Sequence, residues 1–275
     1  MYYKALLLFC LLFVSGCISS GSERLKNVQN IASKFNLKYE VIKTSNFELF
    51  TFYKSKKNSK DLTVYLEGDG FAWVTVNQKS SNPTPLKPML LNLAMLDNNH
   101  NVAYLARPCQ YIGVGKNPLC ENSLWTSHRF SEVIIASMNQ AINKLKVKAA
   151  ADNIHLVGYS GGAAVAAIIA ARRDDIKSIK TIAGNLDHKA VNKHHGVTLM
   201  PYSLNPINYA VKIRNIPQHH LVGEQDEIIL PKIAQKFIRK GKMKCAKTTV
   251  HKNVSHFEGW ETVWQKEVSK QLSCD

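Results

Sequence analysis

Apolar and polar positions along the chain follow two alternating rhythms. Eight short runs rich in β-branched, aromatic and other apolar residues, each bounded by turn residues, have the length and composition of strands. They are residues 39–44, 47–53, 62–66, 102–106, 154–158, 176–183, 219–223 and 247–251. Ser45-Asn46 separates the first two closely enough for a hairpin. From the third run onward the intervals lengthen, and most carry helical patterns: residues 86–96, 129–145, 162–172, 232–239 and 258–272. Leu25, Val28, Ile31 and Phe35 form a further helical stripe ahead of the first strand. Strands alternating with helices predict an α/β architecture, an eight-stranded, mostly parallel sheet with helices on both faces. The opening hairpin adds an antiparallel edge. No internal repeat or low-complexity segment interrupts the pattern.

The N-terminus departs from this rhythm. Lys4 precedes a purely apolar run from Ala5 to Val14, 10 residues long. A membrane-spanning helix needs about 20, whereas this is the length of a signal-peptide core. The run ends in Val14-Ser15-Gly16-Cys17, small residues that fit a peptidase cleft followed at once by a thiol. This segment resembles a bacterial lipobox, which implies cleavage before Cys17 and lipid on that residue. Residues 1–16 are then a lipoprotein signal peptide, 17–38 a tether with an N-terminal helix, and 39–275 the α/β domain. Ile18 rather than Asp follows the cysteine. By similarity to enterobacterial sorting, this implies an outer-membrane anchor facing the periplasm.

Export changes the cysteine arithmetic. Of 6 cysteines, Cys10 leaves with the signal and Cys17 carries lipid, so Cys109, Cys120, Cys245 and Cys274 remain. An even number in an oxidising compartment points to disulfides, and four cysteines allow three connectivities. Cys109 and Cys120 share one loop, while Cys245 and Cys274 flank the last strand and helix, so Cys109–Cys120 and Cys245–Cys274 are the expected pairs. No Cys-x-x-Cys occurs, which argues against zinc. His194-His195 and His219-His220 are adjacent pairs and no His-Glu-x-x-His is present, so no metal or other cofactor is expected.

The chemistry sits at the strand ends. The fifth strand runs into Gly158-Tyr159-Ser160-Gly161-Gly162 and then a small-residue helix, a Gly-x-Ser-x-Gly turn in strand–turn–helix context. Glycines permit the tight turn, and Ser160 is presented at a helix N-terminus that favours negative charge. A serine needs a base. His256, in the loop after the eighth strand, is the candidate. Asp226, after the seventh, is its orienting acid, and Asp187, after the sixth, is the competing acid. Gly161 and the segment Glu67-Gly68-Asp69-Gly70 after the third strand supply candidate oxyanion donors, with the backbone of Asp69 or Gly70 beside that of Gly161. Nucleophile, acid and base follow in the chain order Ser160, Asp226, His256.

These features together resemble the α/β-hydrolase superfamily across essentially the whole mature chain. Glu67-Gly68-Asp69-Gly70, Asn82-Pro83-Thr84-Pro85, Arg107-Pro108-Cys109-Gln110-Tyr111 and residues 183–188 are similar to an uncharacterised branch of bacterial exported hydrolases. Glu67 stands where many lipases and esterases have histidine. A carboxylate aimed at an oxyanion would oppose catalysis, so Glu67 is expected to point away and hold the loop.

The resemblance implies a lipid-anchored serine hydrolase that cleaves an ester or thioester through an acyl-Ser160. Its partners are a small or envelope-derived acyl substrate and the membrane. Rivals are a non-catalytic envelope binding protein on the same fold, and an acyltransferase or peptidase using the same three residues. All three residue types being intact argues against a decayed site. Arg107 is a candidate for a substrate anion or for a structural ion pair. Trp73, Trp125 and Trp260 are candidates for a pocket wall or for packing. The short interval from the sixth to the seventh strand leaves little room for a large lid, which favours an open site and short esters or polymer ends. The net charge of +16 attracts anionic surfaces. For an exported chain that means lipid headgroups rather than nucleic acid, and the Lys-rich segments 54–60 and 240–247 fall in expected surface turns.

Overall fold

In a computed structural model, the described residues are 19–35, 37–55, 59–98 and 101–274. The expected signal segment, 1–16, and Cys17, the residue expected to carry lipid, lie outside them. The strands are β1 (Lys38–Lys43), β2 (Glu48–Lys54), β3 (Asp61–Leu66), β4 (Val102–Leu105), β5 (Asn153–Tyr159), β6 (Ile176–Ile182), β7 (Gln218–Gly223) and β8 (Ala246–His251). The helices are α1 (Gly21–Ser33), α2 (Met89–Met95), α3 (Asn122–Trp125), α4 (Glu132–Ala149), α5 (Gly161–Ala170), α6 (His188–His194), α7 (Lys232–Gly241) and α8 (Trp260–Glu267), with a 3-10 turn at Pro206–Tyr209.

All eight strands form one sheet in the order β1-β2-β4-β3-β5-β6-β7-β8. β2 is antiparallel to both β1 and β4, and every pairing from β4 to β8 is parallel. Side-chain alternation splits the core between the two faces. Leu62, Val64 and Leu66 of β3 join α4, α5 and α7 on one face, while Tyr65 joins α1, α2 and α8 on the other. Both faces are covered, so β7 is buried along its whole length. That is the burial expected of a strand inside a parallel sheet. α5, made only of Gly, Ala, Val and Ile, is buried all round.

Local chemistry set several boundaries differently from the periodicity. Within the expected tether and helix of residues 17–38, the helix starts at Gly21, ahead of the apolar stripe that begins at Leu25. Ser20 caps α1 by accepting from the Glu23 amide, and Glu23 accepts from the Ser20 amide at 2.6 Å, a reciprocal capping box. The expected helix at 86–96 begins only at Met89, after Pro88. The segment after β6, for which periodicity predicts no helix, holds α6, capped by Asp187 accepting from the Ala190 amide. Cys109–Cys120 and Cys245–Cys274 form disulfides at sequence separations of 11 and 29. Among the described residues no helix is long and apolar enough to cross a membrane.

Candidate active site

The carboxyl ends of the parallel strands lie along one edge of the sheet, and the loops leaving β3, β5, β7 and β8 meet there. Ser160 sits between β5 and α5 with φ 49° and ψ −115°. A side chain in that region costs about 1–3 kcal/mol. The turn is held by Ser160 N–H donating to the Ile182 carbonyl at 2.9 Å and by the Asn185 amide donating to the Ser160 carbonyl at 3.0 Å. The flanking glycines are required by space. A Cβ at Gly158 would lie 2.6 Å from the Ala163 backbone, and one at Gly162 would lie 2.0 Å from the Leu66 carbonyl oxygen. The strand, the helix and the β3 end can approach this closely only without those side chains.

His256 reaches Ser160 from the loop after β8. Its Nε2 is 3.1 Å from Ser160 Oγ, and its Nδ1 is 2.9 Å and 3.1 Å from the two carboxylate oxygens of Asp226. Asp226 is buried and accepts from the amides of Ile228 and Ile229 at 2.9 and 2.8 Å. Two features bring the acid turn and the histidine loop together. Gly223 has no side chain, and a Cβ there would meet the Val254 carbonyl at 2.3 Å. Glu224 and Gln225 donate their amides to the carbonyls of His251 and Val254.

The His256 carbonyl accepts from the Tyr159 hydroxyl at 3.0 Å and from Trp260 Nε1 at 3.1 Å. Trp260 therefore packs and braces rather than lining a pocket. Tyr159 was not singled out from the sequence, although it is the variable residue of the serine turn. Trp125 is buried and donates to the Ser80 carbonyl, so it too is structural. Asp187 is occupied elsewhere: it accepts from Asn205 at 2.8 Å and pairs with Lys236 at 2.6 Å. Glu224 and Glu227 are exposed.

The loop after β3 carries two carboxylates with different roles. Glu67 turns into the sheet, accepting from the Tyr104 hydroxyl and the Gly68 amide, each at 2.8 Å. Burial pushes its carboxyl up to about 7. Asp69 instead packs on Gly161, its Oδ1 lying 2.0 Å from where a Cβ would be. It is paired with Arg107 at 3.3 Å and Arg129 at 3.3 Å. Arg107 thus forms an ion pair, one of its two expected roles, and Arg129 joins the same carboxylate. Two guanidiniums outweigh one carboxylate, so the charge beside Gly161 is not net negative. Among the described residues the amides of Asp69 and Gly70 donate to no protein acceptor, and the Gly161 N–H belongs to the unpaired first turn of α5. No group of three or more His, Cys, Asp or Glu side chains among the described residues is arranged to hold a metal ion.

The chain matches no protein-family model, and no curated protein matches its sequence. Solved structures share its fold. An esterase from Pyrococcus furiosus superimposes with a TM-score of 0.61 at 15% identity, over 86% of this chain and 92% of that one. A proline iminopeptidase from Mycobacterium smegmatis gives a TM-score of 0.59 at 13% identity, over 84% and 96%. An alpha-beta serine hydrolase homologue from Coxiella burnetii gives 0.53 at 15% identity, over 84% and 93%. Likeness at these identities is one of fold. With the strand order above, it makes this an α/β-hydrolase fold.

Proposed function

We propose that the protein is a serine hydrolase that cleaves an ester or thioester through an acyl-Ser160 intermediate. The observation that carries this reading is the hydrogen-bonded chain Ser160–His256–Asp226, set on a strained turn at the N-terminus of α5. Ser160 Oγ attacks the substrate carbonyl while His256 Nε2 takes its proton. Asp226 holds the Nδ1–H tautomer and stabilises the imidazolium. The developing oxyanion is received by the N–H of Gly161 and by that of Asp69 or Gly70. Collapse expels the alcohol or thiol, which takes its proton from His256. Water, deprotonated by the same imidazole, then releases the acid.

The test is a panel of p-nitrophenyl esters of graded chain length, with wild type and Ser160→Ala, alongside a fluorophosphonate probe. Wild type hydrolyses one or more esters and is labelled; Ser160→Ala does neither. Equal labelling of the variant would make another residue the nucleophile.

The same proposal places the protein in the bacterial envelope, lipidated at Cys17 and facing the periplasm. Two disulfides suit an oxidising compartment, and the apolar run before Cys17 is the length of a signal core.

A further inference from the structure

We infer that the mouth of the site faces the bilayer that carries the anchor, with the hairpin of residues 72–80 as the element that enters the lipid interface. This inference rests on the reading of Cys17 as lipidated. The substrates it favours are acyl esters of amphiphiles held at the membrane surface, rather than free polymer ends.

The first ground is where the chain leaves the domain. Cys17 to Ser20 is three residue steps, about 10 Å fully extended. Ser20 caps α1, and α1 is fastened to the active-site edge. Asn82 Nδ2 packs against Gly21, 2.4 Å from where a Cβ would be. Arg24 donates to the Thr84 carbonyl, and its guanidinium lies over the Phe71 ring at 5.9 Å. The next contacts lead to the nucleophile. The Pro83 carbonyl abuts Gly70, and the Asp69 carboxylate abuts Gly161. The described chain therefore starts on the active-site edge, not at the opposite end of the sheet, and a lipid three residues before Ser20 stays within about 10 Å of that start.

The second ground is the hairpin itself. It follows Phe71 directly and is closed by the Ser80 amide donating to the Ala72 carbonyl at 3.0 Å and by a bridge between Trp73 and Lys79. Its turn exposes Trp73, Val74 and Val76 at 40%, 39% and 79%. Three large apolar side chains within four residues are more than scattered surface exposure. No Asp or Glu occurs from Gly70 to Leu96, while Lys79 and Lys87 do, a charge balance suited to anionic headgroups. Tryptophan prefers headgroup depth. Phe257 is 64% exposed and packs edge-on against the His256 ring at 4.9 Å, so the surface beside the histidine is apolar too.

Quenching by brominated lipid tests this. Of the 4 tryptophans, Trp125, Trp260 and Trp264 are 5%, 2% and 1% exposed, so Trp73 is the reporter. The full chain, processed in a bacterial host, is reconstituted into phosphatidylethanolamine–phosphatidylglycerol vesicles with and without dibrominated acyl chains. Emission is expected to fall by roughly a quarter, one tryptophan's share at headgroup depth. Trp73→Phe is expected to remove the fall. Val76→Asp is expected to lower the rate on a vesicle-borne ester several-fold relative to a soluble p-nitrophenyl ester. Unquenched emission in protein whose mass shows lipid on Cys17 overturns the inference. If the mass shows no lipid, the anchoring proposal has failed separately. Vesicles are then added to the free protein: quenching of Trp73 still supports docking by the hairpin, and its absence overturns it. Inactivity on every ester with quenching intact would strike the hydrolase reading alone.

Discussion

Asp226 and Asp187 each follow a strand on the same edge of the sheet, yet their surroundings assign them different work. Asp226 presents both carboxylate oxygens to His256 and is fixed by two backbone amides. Asp187 caps α6 and is taken up by Asn205 and Lys236. In the proposed mechanism, Asp226→Asn lowers kcat by about three to four orders of magnitude, the cost of the wrong histidine tautomer. Asp187→Asn costs far less kcat, and the loss it does cause is in stability. Steady-state kinetics with circular dichroism on both variants checks this; the reverse order would move the acid to Asp187.

Glu67 yields a pH prediction. Its carboxyl is near 7 in the folded protein against an ordinary value of 4.5. Between these values the folded chain holds a proton that the unfolded chain has released. Its stabilising contribution is therefore complete below about pH 4.5 and is lost as pH rises through 7, a change of order 3 kcal/mol. Glu67→Gln should flatten that part of the stability profile. Urea denaturation at several pH values, wild type against variant, measures it, and parallel profiles would show that Glu67 does not titrate there.

Between elements, the critical contacts are close backbone approaches that only glycine allows, together with covalent ties around the site loops. Cys245 precedes β8 and Cys274 follows α8, so the disulfide closes a loop containing β8, the His256 turn and α8. Cutting it loosens the segment that positions the imidazole. The double variant Cys245→Ser/Cys274→Ser is expected to lose about 2–4 kcal/mol of stability. Denaturant midpoints report the loss, and an unchanged midpoint would make the link dispensable.

The molecule as a whole is strongly cationic, at +16, and its site, its exposed apolar hairpin and the start of its first described helix lie along one edge. Stable anchoring takes more than one acyl chain, because a single chain binds marginally. Cys17→Ser is therefore expected to move the protein from the membrane fraction to the soluble one, or to leave it unprocessed. A wild-type intact mass with a free N-terminal thiol would remove the anchor from the picture.

Each of the eight strands was legible in sequence, with both ends within one residue of the observed bounds. Buried parallel strands are continuous apolar runs cut off by turn residues, and that signal is local. The serine turn was legible because Gly158 serves a local steric need against Ala163 and the motif is contiguous, although Gly161 and Gly162 answer to Asp69 and Leu66 of the β3 end. The capping box of Ser20 and Glu23 was equally local, yet periodicity alone passed over it. Other features required the folded chain. Asp226 and His256 are 30 residues apart in sequence, and their meeting depends on β7 and β8 being neighbours. The pairing of Asp69 with both Arg107 and Arg129 joins the loop after β3 to two segments beyond β4. Tyr159 braces His256 across 97 residues. No local pattern encodes these contacts, because they arise only when the sheet brings the strand ends together. The same holds for α1, whose stripe was visible in sequence: its fastening beside the serine turn was decided by Gly21 and Arg24 meeting Asn82 and Thr84 across about 60 residues of chain.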